Sequence, residues 1–168
     1  MKDLNWKYLK ENVYFWDGSW RDIYVQNISV EDWAKWTEFV NKNYRIEWHN
    51  DKTETNDNTI DSDVILQFWE GDHDLISTAK IFVDDIQINA HFVTDDEIEN
   101  DIDPREFKSI EDHEKLMSYL IGISKSLQLP VIITPENSPE FILIEVNGEQ
   151  VEISKELESP KWPIQIKD

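Results

Sequence analysis

Asp63-Val64-Ile65-Leu66-Gln67-Phe68-Trp69-Glu70, the turn Gly71-Asp72-His73-Asp74, Leu75 to Val83, the turn Asp84-Asp85, and Ile86 to Thr94 form the most regular stretch of the chain. Three apolar-rich runs separated by two short polar turns predict a three-stranded antiparallel meander. Closing the first turn at Glu70 and Leu75 sets Phe68 opposite Ser77, Leu66 opposite Ala79 and Val64 opposite Ile81. Closing the second at Val83 and Ile86 sets Ile81 opposite Ile88, Ala79 opposite Ala90 and Ser77 opposite Phe92. Both registers gather Val64, Leu66, Phe68, Ala79, Ile81, Val83, Ile86, Ile88, Ala90 and Phe92 on one face, which is the expected core face. The other face reads as three cross-strand rows: Gln67, Thr78 and His91; Ile65, Lys80 and Asn89; Trp69, Ile76 and Val93.

Upstream, Val13 to Trp16 and Ser19 to Val25 predict a hairpin around Asp17-Gly18. Ser29 with Asp32 three residues on resembles a short-armed capping box and opens a helix over about Val30 to Lys42. Its apolar residues, Trp33, Trp36 and Phe39 among them, spread over more than half the circumference, as in a deeply set helix. Tyr44 to Trp48 alternates as a strand, and Asn50 to Ser62 is too polar for anything but a loop. Downstream, Asp95 to Asp103 reads as an acidic loop ended by Pro104. Ser109 caps a second helix, Ile110 to about Leu127, and Val131 to Thr134 is a short strand. Phe141 to Val146 and Glu149 to Ile153 form a hairpin around Asn147-Gly148. The tail, 154–168, is expected either to be loosely attached and fray or to add a further strand near Ile164 and Ile166. The expected fold is therefore one α+β domain over 1–168, with antiparallel sheet built from a three-stranded meander and two hairpins and packed with two helices.

Composition bounds the chemistry. The 168 residues are 39% hydrophobic with eight tryptophans, enough for a packed core despite 31% charged residues. Cysteine is absent, which removes disulfides, thiolate nucleophiles and cysteine-based metal centres and fits a reducing, cytoplasmic setting. The opening Met1 to Trp6 has no apolar run of secretory type, and no stretch has the length of a membrane span. The net charge is −20, and residues 49–114 alone hold 20 acidic and 4 basic residues. Such a field repels nucleic-acid phosphates and anionic lipid and draws basic proteins inward.

The leading functional expectation is an acidic binding module that captures a basic partner, as a bacterial immunity protein captures a cationic nuclease toxin or a DNA mimic blocks a nucleic-acid-binding protein. Asp72, Asp74, Asp95, Asp96, Glu97, Glu99, Asp101 and Asp103 would supply charge, and Trp36 and Trp69 the apolar anchors. The alternative is a small-ligand binder or enzyme on the mixed sheet face, where Gln67, Thr78, Lys80, Asn89 and His91 meet, His91 acts as a general base, and Trp69 and Phe82 floor the site. A third reading is a scaffold domain whose acidity only keeps it in solution.

No nucleophile elbow, phosphate-cradling glycine loop, zinc-protease helix or dinucleotide fingerprint occurs, so no enzyme or cofactor is expected. His49, His73, His91 and His113 are scattered, and His113, on the apolar stripe of the second helix, reads as a core histidine. Asp95, Glu97, Glu99, Asp101, Asp103 and Glu106 fall at positions one, three, five, seven, nine and twelve of a loop, a spacing of hard oxygen ligands that suits Ca²⁺. Asn100 in place of the central glycine and Pro104 at position ten argue against that site.

Overall fold

Ser29 starts the best-defined local structure: its hydroxyl accepts from the Asp32 amide at 3.2 Å, and the Asp32 carboxylate accepts from the Ser29 amide at 3.0 Å. This reciprocal box satisfies two otherwise orphaned donors and contributes on the order of 1 kcal/mol to the helix it opens. That helix and its neighbours belong to a computed structural model that describes residues 5–71 and 78–154. In chain order the elements are α1 (Trp6–Asn12), β1 (Arg21–Gln26), α2 (Val30–Asn43), β2 (Arg45–Asn50), β3 (Thr55–Asp57), α3 (Ser62–Trp69), β4 (Ala79–Val83), β5 (Ile86–His91), β6 (Glu97–Ile102), a 3₁₀ turn (Pro104–Glu106), α4 (Ile110–Leu127), β7 (Val131–Pro135), β8 (Ile144–Asn147) and β9 (Gln150–Ile153). The nine strands form one antiparallel sheet in the order β3-β2-β4-β5-β6-β1-β7-β8-β9. The α+β class expected from the sequence is what the chain adopts, with four α-helices among the described residues where two were expected. Among the described residues no helix is long and apolar enough to cross a membrane.

The meander lies one strand further along than expected. Its second hairpin has the expected register, with Val83 opposite Ile86, Ile81 opposite Ile88 and Ala79 opposite Ala90. Residues 63–70, however, are not its first strand. They fall mainly in α3, whose cap Asp61 accepts from the amides of Asp63 and Val64. Val64 and Ile65 are buried while Leu66, Phe68 and Trp69 are partly buried, as a short helix lying on a core requires. The third strand is β6, which replaces the expected acidic loop: Ile98, Asn100 and Ile102 point inward, and Glu97, Glu99 and Asp101 point outward.

The hairpin expected around Asp17-Gly18 is also replaced. Residues 6–12 are helical, and 13–20 wrap from α1 into β1. The wrap is held by Arg21, which is 0% exposed. Its guanidinium donates to the carbonyls of Val13 (2.7 Å), Phe15 (2.5 Å) and Ser19 (3.0 Å) and pairs with Asp17 at 3.3 Å. A buried guanidinium is tolerable only when its donors are matched in this way. Burial is the larger influence on it, pulling its pKa below the ordinary arginine value against the pull of Asp17. The last hairpin closes at Asn147 and Gln150, one residue beyond the Val146–Glu149 closure that a turn at Asn147-Gly148 implies, with Val146 opposite Val151 and Ile144 opposite Ile153. The strand expected near Ile164 and Ile166 lies outside the described residues.

Helices α2 and α4 lie side by side on the sheet, α3 packs on α2, and Leu9 brings α1 into the same core. Trp36 and Trp48 are among the largest fully buried side chains. His113 of α4 is buried too. It bonds the Tyr14 hydroxyl through Nδ1 at 2.6 Å, and burial lowers its pKa to about 4.

The α2–α4 contact turns on Gly122, where a Cβ would come within 2.3 Å of the Phe39 ring. Alanine at 122 would gain about 1 kcal/mol of helix propensity but would overpack the contact at a cost of about 1–3 kcal/mol. Gly122→Ala is expected to lower the urea midpoint, and adding Phe39→Leu to restore much of the loss. A single variant as stable as the parent would show that the ring moves freely aside.

Candidate functional site

A pleated sheet sends alternate side chains to opposite faces. With the helices gathered on one side, β2, β4, β5, β6 and β8 alternate between buried inward residues and partly or fully exposed outward ones. The registers set Lys80 opposite Asn89, Asn89 opposite Asp101 and Asp101 opposite Asp22, and beside that row they set His91 opposite Glu99 and Glu99 opposite Tyr24. In β1 and β7 even the outward residues Asp22, Tyr24, Ile132 and Thr134 are buried.

A cleft of about 460 Å³ lies over this part of the face. Lys80, Asn89, His91, Glu99, Asp101 and Asp22 come from the strands, and Thr78 from the residue just before β4. Trp20 from the wrap, and Glu136 and Asn137 from the turn after β7, close it. The two connecting segments are tied together. Glu136 accepts from the Trp20 amide at 2.8 Å, and the Asn137 amide donates to Asp22 Oδ2 at 2.7 Å. Asn137 reaches that position with φ of 59°, a left-handed conformation that asparagine tolerates.

A chain of hydrogen bonds crosses the cleft. The Gln87 side-chain amide donates to Asn89 Oδ1 at 2.9 Å, and Asn89 Nδ2 donates to Asp101 Oδ1 at 2.9 Å. Asp101 Oδ2 lies 2.7 Å from His91 Nε2, and His91 Nδ1 lies 3.1 Å from the Thr78 hydroxyl. The carboxylate fixes the tautomer: Nε2 carries the proton toward Asp101, which leaves Nδ1 of a neutral His91 to accept from Thr78.

Four carboxylates share the cleft with one lysine and one histidine. Burial raises the pKa of Asp22, against the pull of its bonds from Asn137 and Tyr24. Burial, and then the charge of Asp22, raises that of Glu99. The bond to Asp101 raises that of His91 and outweighs its burial. Burial dominates the first two shifts, and the neighbouring carboxylates push all three the same way.

Of the residues expected to form a ligand site, Thr78, Lys80, Asn89 and His91 line the cleft together. Gln67 does not: it lies on α3, where it accepts from Lys52. The expected floor divides as well. Phe82 stays on the open face beneath the Arg45 guanidinium, 3.8 Å from the ring centre, whereas Trp69 packs on Trp33 and donates to the Phe92 carbonyl. Of the residues expected to dock a partner, Glu97, Glu99 and Asp101 project from the open face of β6. Asp95 and Asp96 lie in the turn before it, and Asp103 caps the 3₁₀ turn and pairs with Arg105 at 2.8 Å. Trp36 is wholly buried and is no anchor. Asp72 and Asp74 lie outside the described residues.

The calcium spacing has a different origin. Glu97, Glu99 and Asp101 recur at every second residue because they share one face of a strand, and Glu106 accepts from the Gln87 amide at 3.0 Å. Among the described residues no group of acids and histidines is placed to hold a metal ion. Asp22, Glu136, Asn137 and Trp20 were not singled out as site residues from the sequence. Only the alternation of Asp22-Ile23-Tyr24-Val25 marked Asp22 as facing away from the core.

The two environments of histidine are separable by NMR. His113 is expected to stay neutral down to about pH 4, whereas His91 should titrate above the ordinary histidine value of about 6.5. Asp101→Asn is expected to bring His91 back down. The stability contributed by the His91–Asp101 pair is complete below the unfolded histidine value and fades as pH rises through the folded one. A His91 that titrates identically in Asp101→Asn would contradict the hydrogen bond. Compared with known proteins, the chain matches no family model, no curated protein and no solved structure.

Proposed function

We propose that the protein is a binding module that captures a basic protein partner on the open face of its sheet, with a cationic side chain of that partner entering the cleft beside Trp20. The observation that carries this reading is the convergence of Asp22, Glu99, Asp101 and Glu136 on one concavity that holds only Lys80 and His91 as counter-charge. Arginine fits such a site well, because its planar fork pairs with carboxylates and stacks on aromatic rings. Glu97, Glu145 and Glu152 belong to the same outward set of the sheet and extend the negative field beyond the cleft. That field would speed encounter with a cationic surface, and salt would slow it. An immunity protein facing a cationic nuclease toxin is one concrete form of the module.

The anchoring role moves from Trp36 to Trp20, which is partly buried at the cleft wall with its amide fixed by Glu136. An anchor of this kind needs a rim that excludes water, and the flanking carboxylates supply a polar one.

The test uses an arginine-rich peptide as a defined probe, titrated at low and high salt and followed by Trp fluorescence and by NMR shifts at His91. Salt-sensitive binding is expected. Glu99→Gln is expected to weaken it about 5- to 10-fold, on the order of 1 kcal/mol, and Glu99→Lys to weaken it further. A peptide that binds the charge-reversed variant as well as the parent, or ignores salt, would remove the proposal.

A further inference from the structure

We infer that Thr78, His91 and Asp101 form a nucleophile relay, and that the cleft carries acyl-transfer chemistry on esters bearing a cationic group. The geometry is that of an activated hydroxyl. Thr78 Oγ1 lies 3.1 Å from His91 Nδ1, and His91 Nε2 lies 2.7 Å from Asp101. A hydroxyl is a weak nucleophile until a base takes its proton, and the base works best when a third group fixes its ring. Asp101 is itself oriented by Asn89, and Asn89 by Gln87.

Burial does not force this chain of bonds. Thr78, His91 and Asp101 are each only partly buried, so water could satisfy them separately. The structure instead aligns them along the wall of a cavity large enough for a small acyl compound. Lys80 also lines the cleft and is the cation there that could compensate an oxyanion. The remaining carboxylates, Asp22, Glu99 and Glu136, set the substrate class, because they repel anionic esters and favour cationic ones.

The step balances within the cleft. Thr78 Oγ1 attacks the acyl carbon while its proton passes to His91 Nδ1. The carbon–oxygen bond to the leaving alcohol then breaks, and the proton on Nδ1 passes to that oxygen, leaving an acyl-threonine. Water attacks the same carbon in turn, gives its proton to Nδ1, and Thr78 leaves with it. Thr78 and His91 are the reacting groups, and Asp101 is a positioning residue. The relay occupies the cleft assigned to partner capture but does not depend on that capture.

The test is a burst titration of the full chain with a 4-nitrophenyl ester of guanidinobenzoic acid, followed by peptide mass spectrometry. The expected result is about one equivalent of nitrophenolate per chain and an acyl group on Thr78. Thr78→Val should abolish the burst, and Thr78→Ser should retain it with the adduct on residue 78. His91→Gln should slow acylation by about 100-fold. Asp101→Asn should lower the rate and shift its pH profile downward with the His91 pKa, a readout that a purely structural role would not move. No adduct on the parent protein, an adduct on Lys80 instead, or an undiminished burst in Thr78→Val would each overturn the inference.

Discussion

The pleat of a sheet covered by helices on one side governs this molecule. Because successive residues point to opposite faces, packing α2 and α4 against one face commits one set of residues to the core and the alternate set to the other surface. Ile81, Ile88 and Ile98 on the inward set are fully buried. Lys80, Asn89, His91, Glu99 and Asp101 on the outward set become neighbours through registers that the inward set decides. The site is thus assembled by the core. A slip of one residue in β5 would exchange Ile88 and Ala90 for Asn89 and His91, and burying those polar groups is far costlier than exposing the aliphatic ones.

Two loops turn this face into a cleft, and each is fixed by one internal device. The wrap 13–20 is fastened by the buried guanidinium of Arg21 on the helix side, which delivers Trp20 to the other side of β1. The turn after β7 uses the left-handed Asn137 to aim an amide at Asp22. Asp22 then serves as both the floor of the cleft and the acceptor that secures its rim. Its raised pKa follows from that placement, since burial on the floor outweighs the two bonds it accepts.

How far the sequence revealed this arrangement can be followed residue by residue. The capping signals of Ser29 and Ser109 located α2 and α4 correctly, because a cap is a local interaction that survives any tertiary context. The β4–β5 hairpin was legible because both strands alternate cleanly around a two-residue turn. The run 63–70 was not, since a short apolar stretch fits a buried strand and a short helix equally well. The deciding residue was Asp61, whose capping role lay outside the run. Strand β6 was hidden by its composition: with Glu97, Glu99 and Asp101 on its open face, it reads as a charged loop unless the spacing of Ile98 and Ile102 is given equal weight. Thr78, Lys80, Asn89 and His91 were found because hairpin register is local. Trp20, Asp22 and Glu136 were missed because they reach the cleft through pairings between segments more than 100 residues apart.

The two proposed roles of the cleft are linked through His91. Asp101 favours the imidazolium, with Glu99 and Asp22 adding to its pull. A bound cation would supply positive charge to the same carboxylates and reduce that preference. Occupancy by a cationic group and loss of the His91 proton are therefore coupled, and the coupling is reciprocal. These carboxylates on their own raise the His91 pKa and so work against passage of the Thr78 proton to Nδ1. A cationic ester arriving against Glu99 and Asp22 would drive His91 toward the neutral form in which Nδ1 is bare. On this reasoning the excess of carboxylates has two connected effects: it selects the charge of the ligand, and it makes the basicity of the relay available when a ligand of that charge is present.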